Sequence, residues 1–108
     1  MFVNMTPHEI KEIVTGLTIP PSGEVTRVAV SYERHGTIEN VPCFKAIYGE
    51  IENLPEEKPN TTYIVSGMVL DAIASNAVTA HRRDFVSPGE LVRDEKGQPI
   101  GCSGFKVN

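Results

Sequence analysis

Apolar residues fall along this chain in short alternating blocks, and a single stretch carries them at helical spacing. From Glu24 to Tyr32, alternation sets Val25, Arg27, Ala29 and Ser31 on one face and Thr26, Val28, Val30 and Tyr32 on the other, the period of a β-strand. Val41 to Ile51 resumes extended structure, with Pro42 suited to a strand start or edge. The run Thr61-Thr62-Tyr63-Ile64-Val65-Ser66 is the clearest buried strand and is expected at the centre of a sheet. Between Gly67 and Asn76, apolar Met68, Val69, Leu70, Ala72, Ile73 and Ala74 recur three and four apart with Asp71 outside them, which predicts the main helix, of two or three turns. Phe85-Val86 and Leu91-Val92-Arg93 read as two short strands with a turn between them, and Asp94-Glu95-Lys96-Gly97 as a hairpin turn into Pro99-Ile100-Gly101-Cys102.

The N-terminal region carries helix-start chemistry. Thr6 suits an N-cap, Pro7 the first helical position and Glu9 the third, so a short helix or a single helical turn is expected from Pro7, with Ile10, Ile13 and Val14 on one face. The β-branched Val14-Thr15-Gly16-Leu17-Thr18-Ile19 then favours a strand or hairpin. Pro20-Pro21-Ser22-Gly23 is a turn, His35-Gly36-Thr37 a loop, and Leu54 to Asn60 a proline-rich surface connection. No repeat or compositional break appears, so residues 1–108 read as a single domain of α+β class, mostly antiparallel β-sheet with one main helix at about 67–76 and a short N-terminal helical turn.

Composition narrows the functional classes. A chain of 108 residues buries about two-thirds of its unfolded surface, so its core is modest and a homo-oligomeric interface would help it. The net charge of −4 and pI near 5.3 disfavour coating of bulk nucleic acid, which needs many cationic contacts. A small anion needs only two or three positioned donors and stays open as a partner. No apolar run of about 20 residues offers a membrane span, and Met1-Phe2-Val3-Asn4 lacks the regions of a signal peptide, so a cytoplasmic, non-membrane protein is expected. Cys43 and Cys102 form no Cys-x-x-Cys pair and read as buried thiols; His8, His35 and His81 lie in separate segments, so neither a metal nor another cofactor is expected.

Candidate chemistry concentrates in the last third. His81-Arg82-Arg83-Asp84 and Arg93-Asp94 hold three of the five arginines, and guanidinium forks suit phosphate. The bland alternative is a set of solvated surface pairs worth at most about 1 kcal/mol each. Phe85 beside Arg83-Asp84 is the nearest ring that could stack on a base, although core packing is the better reading of it. His8 can meet a ligand or serve the local cap. Catalytic signatures are weak: Glu50 and Glu52 share a strand face, but no nucleophile motif or phosphate loop accompanies them.

The segments Asn4-Met5-Thr6-Pro7-His8-Glu9-Ile10, Pro21-Ser22-Gly23, Tyr48-Gly49-Glu50-Ile51-Glu52-Asn53-Leu54-Pro55, Tyr63-Ile64-Val65-Ser66, Arg83-Asp84 with Pro88-Gly89, and Val92-Arg93-Asp94 with Gly97 and Ile100-Gly101 together resemble small proteins encoded by bacteriophages and prophages. In size and layout the chain also looks like the Thoeris anti-defence sponges, which sequester cyclic ADP-ribose isomers made by host TIR enzymes. There an arginine, an asparagine and an aromatic enclose the nucleotide. The resemblance assigns the first two roles to Arg93 and Asn76, while Ser66 stands where the aromatic is expected. It implies a non-enzymatic protein, in the host bacterial cytosol, that captures a cyclic nucleotide messenger, with Arg83 and Arg93 on phosphates, Asp84 or Asp94 orienting an arginine or a ribose hydroxyl, Asn76 on a base or ribose edge, and Phe85 or Tyr48 stacking. Two alternatives stand beside it: a structural module that forms a homo-oligomer or binds a protein partner, and a cyclic-nucleotide hydrolase using Glu50, His8 or His81.

Overall fold

The computed structural model describes residues 1–108 and contains, in chain order, β1 (Phe2–Asn4), β2 (Ile10–Glu12), β3 (Leu17–Ile19), β4 (Arg27–Ile38), β5 (Val41–Glu52), β6 (Thr62–Ile64), α1 (Gly67–Ser75), β7 (Phe85–Arg93) and β8 (Pro99–Lys106). It is an α+β fold dominated by strands. The longest ladders, β4 with β5 and β7 with β8, are antiparallel, while β1 with β6, β6 with β7 and β2 with β8 are parallel.

Six strands form one sheet in the order β1-β6-β7-β8-β2-β3. Its two edges meet. The Ser22 amide donates to the Asn4 carbonyl at 3.0 Å, the Asn4 side-chain amide donates to the Ile19 carbonyl at 3.2 Å, and Asn4 bridges Pro21 in parallel. The sheet thereby curls into a small closed barrel, which removes the open edges that an exposed strand otherwise presents. Strand alternation divides the apolar residues between two cores. Ile10, Ile19, Ile64, Val86 and Cys102 pack together inside the curl, with the partly buried Phe105 against them. Tyr63, Val65 and Phe85 point the other way and join Met5 and the buried face of α1, Val69, Leu70 and Ile73. The run Thr61 to Ser66 is central, as its composition predicts, with Ile64 and Val65 fully buried.

The helix forms where its period places it. The Ser66 hydroxyl accepts the Val69 amide at 3.2 Å as N-cap, and the Asn76 amide closes the last turn on the Ala72 carbonyl at 3.1 Å. Thr79, itself buried, donates to the Ile73 carbonyl at 2.8 Å and satisfies another end group.

Three expectations are corrected. No helical turn forms at Pro7: the Asn4 side chain takes the capping role, accepting the Thr6 amide and hydroxyl through Oδ1 and donating to the His8 carbonyl through Nδ2. With five residues between β1 and β2, the pull of two strand ladders leaves no room for a helix. The span 85–93 is one strand rather than two, because Ser87, Pro88 and Glu90 pair with β8 across the expected turn. His35-Gly36-Thr37 lies within β4, where a register break absorbs Gly36 at φ +79°, and the chain reverses at Glu39-Asn40 instead. Both of those residues have positive φ, the backbone of a tight two-residue hairpin turn. The resulting β4–β5 arm stands off the barrel. It raises the radius of gyration to 16.0 Å, against about 13 Å for a compact chain of this length.

Candidate ligand cleft

Unequal strand lengths open a cleft in the barrel wall. β6 stops at Ile64 and its chain turns into α1, whereas its neighbour β7 continues to Arg93. From Pro88 onward the β6-facing edge of β7 has no strand beside it, which is where a proline without an N–H is tolerated. On the far side β2 touches β8 at one register point, Glu12 with Cys102. Between these two gaps lies a cavity of about 710 Å³, walled by Thr6 to Lys11 on one side and by Pro88, Leu91 and Pro99 to Cys102 on the other. A second cavity, about 270 Å³, lies behind Thr6, Pro7 and Ser66, which line both, and extends to Arg27, Val28 and Met68.

The cleft lies just beyond the carboxyl ends of the parallel strands β1 and β6, where Thr6 and Ser66 line it. Ser66 is the N-cap of α1, and the next two amides, of Gly67 and Met68, have no intrahelical acceptor; Met68 lines the smaller cavity. Thr6 is fixed there by the 2.6 Å hydrogen bond of its hydroxyl to Asn4 Oδ1. Leu91, Ile100, Ile10 and the prolines give an apolar shelf. The rim carries His8 and Lys11, with Lys11 4.0 Å from Glu9. Arg93 follows the lining Leu91 by two residues on β7 and pairs in register with the lining Pro99, so it stands at the outer lip, one Nη donating to the Gly97 carbonyl at 2.7 Å.

The remaining sequence candidates lie elsewhere. Arg93 ends β7 and Arg83 lies two residues before its start at Phe85, so the whole strand, about 26 Å long, separates two segments expected to flank one patch. Arg83 folds back onto the Ala80 carbonyl at 2.8 Å. Asp84 orients an arginine, but that arginine is Arg82: Nε and Nη2 grip the two carboxylate oxygens at 2.8 and 2.7 Å, Nη2 also reaches the Pro55 carbonyl at 3.0 Å, and the guanidinium lies 4.8 Å from the centre of the Phe85 ring. Both side chains are about nine-tenths buried, and hydrogen bonding to Asp84 raises the Arg82 pKa above its ordinary value. This is a structural clamp between the Pro55 loop and the start of β7. Asp94 accepts the Lys96 and Gln98 amides within the hairpin turn, Asn76 caps α1 and accepts the Val78 amide, Phe85 is core, and Tyr48 is on the arm. Glu50 and His81 line neither principal cavity, and no three His, Cys, Asp or Glu side chains gather as a metal site.

Sequence reasoning missed Lys11, Ser66 as a cleft residue, and Glu12. The Glu12 carboxylate, only 4% exposed, accepts the Val14, Thr15 and Gly104 amides and the Thr15 hydroxyl at 2.6–2.8 Å, which pulls its pKa down to about 2. The largest single cause is the Thr15 hydroxyl, followed by the Gly104 amide from β8. Only the Glu12-x-x-Thr15 spacing ahead of Gly16 hinted at it. No family model, curated protein or solved structure matches the chain.

Proposed function

We propose that this chain is a phage-type anti-defence protein that binds and sequesters a cyclic nucleotide messenger, a cyclic ADP-ribose isomer or cyclic oligonucleotide, in the cleft between β1–β2 and β7–β8. The observation that carries the reading is the composition of that cleft: an apolar shelf of Leu91, Ile100 and Ile10 for a base, Lys11 and His8 on the rim with Arg93 at the lip for phosphates, and Ser66, the N-cap of α1, in its wall. A volume of about 710 Å³ suits a ligand of nucleotide size. Capture requires no catalytic group.

Calorimetry with cyclic ADP-ribose isomers, cyclic dinucleotides and cyclic trinucleotides tests it. One of them binds with Kd below about 10 μM, or roughly −7 kcal/mol. Lys11→Ala and Arg93→Ala each weaken that binding about tenfold, the scale of one charge-assisted hydrogen bond, and Arg83→Ala leaves it unchanged. The ligand is recovered intact after the protein is denatured; a cleaved product identifies a hydrolase instead. Absence of binding by every probe ends the proposal. The homo-oligomeric reading is favoured by a separate observation, the long exposed β4–β5 arm.

A further inference from the structure

One face of the arm is apolar along its length and covered only at its base. Cross-strand register sets Val28 beside Ile51, Val30 beside Tyr48, Tyr32 beside Ala46 and Arg34 beside Phe44 on a single face. Val28 and Ile51 pack against the helix-side core. Farther out the same face runs into solvent: Tyr32 is 67% and Phe44 60% exposed, and a hollow lies between the two rings. Aromatic rings exposed side by side are a surface that a soluble chain keeps only when something covers it.

The arm's edges are poor templates for strand addition. Register breaks interrupt β5 opposite Ala29 and β4 at His35-Gly36, and Pro42 has no N–H to offer. Bulges and prolines of this kind blunt an edge. The occupant therefore meets the face. That face bears a single charge, Arg34, and no carboxylate, so a strongly basic partner finds nothing to pair with and an acidic one finds one guanidinium.

We propose that the occupant is a second copy of this chain, laid face to face and antiparallel about a two-fold axis that passes near Tyr32 and Ala46. Such an isologous contact satisfies itself. The row Arg34–Phe44, one step outward from the axis, meets the row Val30–Tyr48 of its mate, so each Phe44 ring lies over the partner's Tyr48 and each Arg34 over the partner's Val30, with its guanidinium diagonal to that tyrosine. Tyr and Arg are also the residue types that dominate interface energetics. With about 200 Å² for a whole aromatic side chain, Tyr32 and Phe44 offer about 250 Å² per copy. Adding Arg34, Ala46 and Tyr48 brings the pair to about 1,000 Å² in total, the lower bound of a specific interface. The inference does not depend on ligand binding in the cleft.

Sedimentation velocity on the full chain, with and without Tyr32→Ser/Phe44→Ser, reads the interface. The wild type is a dimer at micromolar concentration, and the double variant raises the dimer dissociation constant about 30-fold or more, as loss of hot-spot rings does. Its far-UV spectrum stays that of the wild type, since neither ring belongs to a core, while its melting temperature loses the concentration dependence that a dimer confers; should it misfold, Tyr32→Ser alone is the substitute. In a Cys43→Ser background, Ala46→Cys near the axis is joined by a short bismaleimide, whereas Ile47→Cys on the opposite face is not. A monomeric wild type, a dimer indifferent to loss of both rings, or equal cross-linking of the two cysteines each overturns the proposal.

Discussion

At the scale of single residues, Glu12 and Arg82 show how little a charge in the sequence says about its task. Arg82 and Arg83 are adjacent and chemically identical, yet one is buried in a bidentate clamp with Asp84 and the other binds two carbonyls at the surface. Their difference is set by the distant Pro55 loop and the Phe85 ring, which no local pattern encodes. Glu12 is the sharper case, because its carboxylate holds the β2–β3 turn and reaches β8 as well. Its folded pKa, about 2, lies below the unfolded value of about 4.3. A depressed pKa contributes stability that is complete above the unfolded value and is lost as pH falls through the folded one. Glu12→Gln therefore lowers the melting temperature at pH 7, since the amide group points an N–H toward donors. The gap from wild type closes as pH drops from about 5 to about 2. Thermal melts of both proteins across that range check it; a gap that stays constant with pH denies the ionised carboxylate its role.

Elements were legible where local pattern and final packing agreed. The helix after Ser66 has a cap, a period and a buried face that coincide, and it appears within a residue of the expected end. The N-terminal helical turn was misread because Thr6-Pro7-x-Glu9 is a sound start signal in isolation, whereas Asn4, a barrel residue, claims Thr6 for itself. The cleft was partly readable: His8 and Arg93 were singled out and stand on its rim or lip, but the gap that makes it a cleft comes from strand lengths, which local periodicity sets poorly. The β2–β8 junction exposes another element-level dependence. A Cβ on Gly101 would lie 2.5 Å from the Lys11 carbonyl oxygen and 2.8 Å from Ile13 Cδ1, so only glycine lets β2 come this near. Gly101→Ala should cost about 2 kcal/mol, typical of overpacking, and lower the melting temperature on the order of 10 °C for a chain of this size. Denaturant titration at neutral pH measures it, and a loss below about 0.5 kcal/mol, the range of ordinary surface substitutions, shows that the strands part without strain.

For the whole molecule, the decisive residue is Asn4, because it is where a curled sheet becomes a closed one. Only 1% exposed, it ties β1 to Ile19 at the end of β3, holds Thr6 and the His8 carbonyl at the cleft, and presents its own carbonyl to Ser22. Barrel closure and cleft shape thus share one side chain, which works beside the backbone bonds of Ser22 and Thr26 at the seam. Asn4→Ala strands buried polar partners, at about 1–3 kcal/mol, yet it leaves both apolar cores intact, so the chain should stay folded with its seam loosened. Local opening then has a definite signature in hydrogen exchange. The Ser22 and Thr26 amides, which bond to Asn4 and Met5 across the seam, should exchange much faster. The Tyr63 and Val65 amides, bonded to Asp84 and Val86 in mid-sheet, should slow or quicken only with global stability. Uniform acceleration at all four sites would mean that the seam never opens on its own. Unchanged exchange at Ser22 would mean that the Asn4 side chain does not close the barrel, and that the Thr6–His8 wall of the cleft is held by something else.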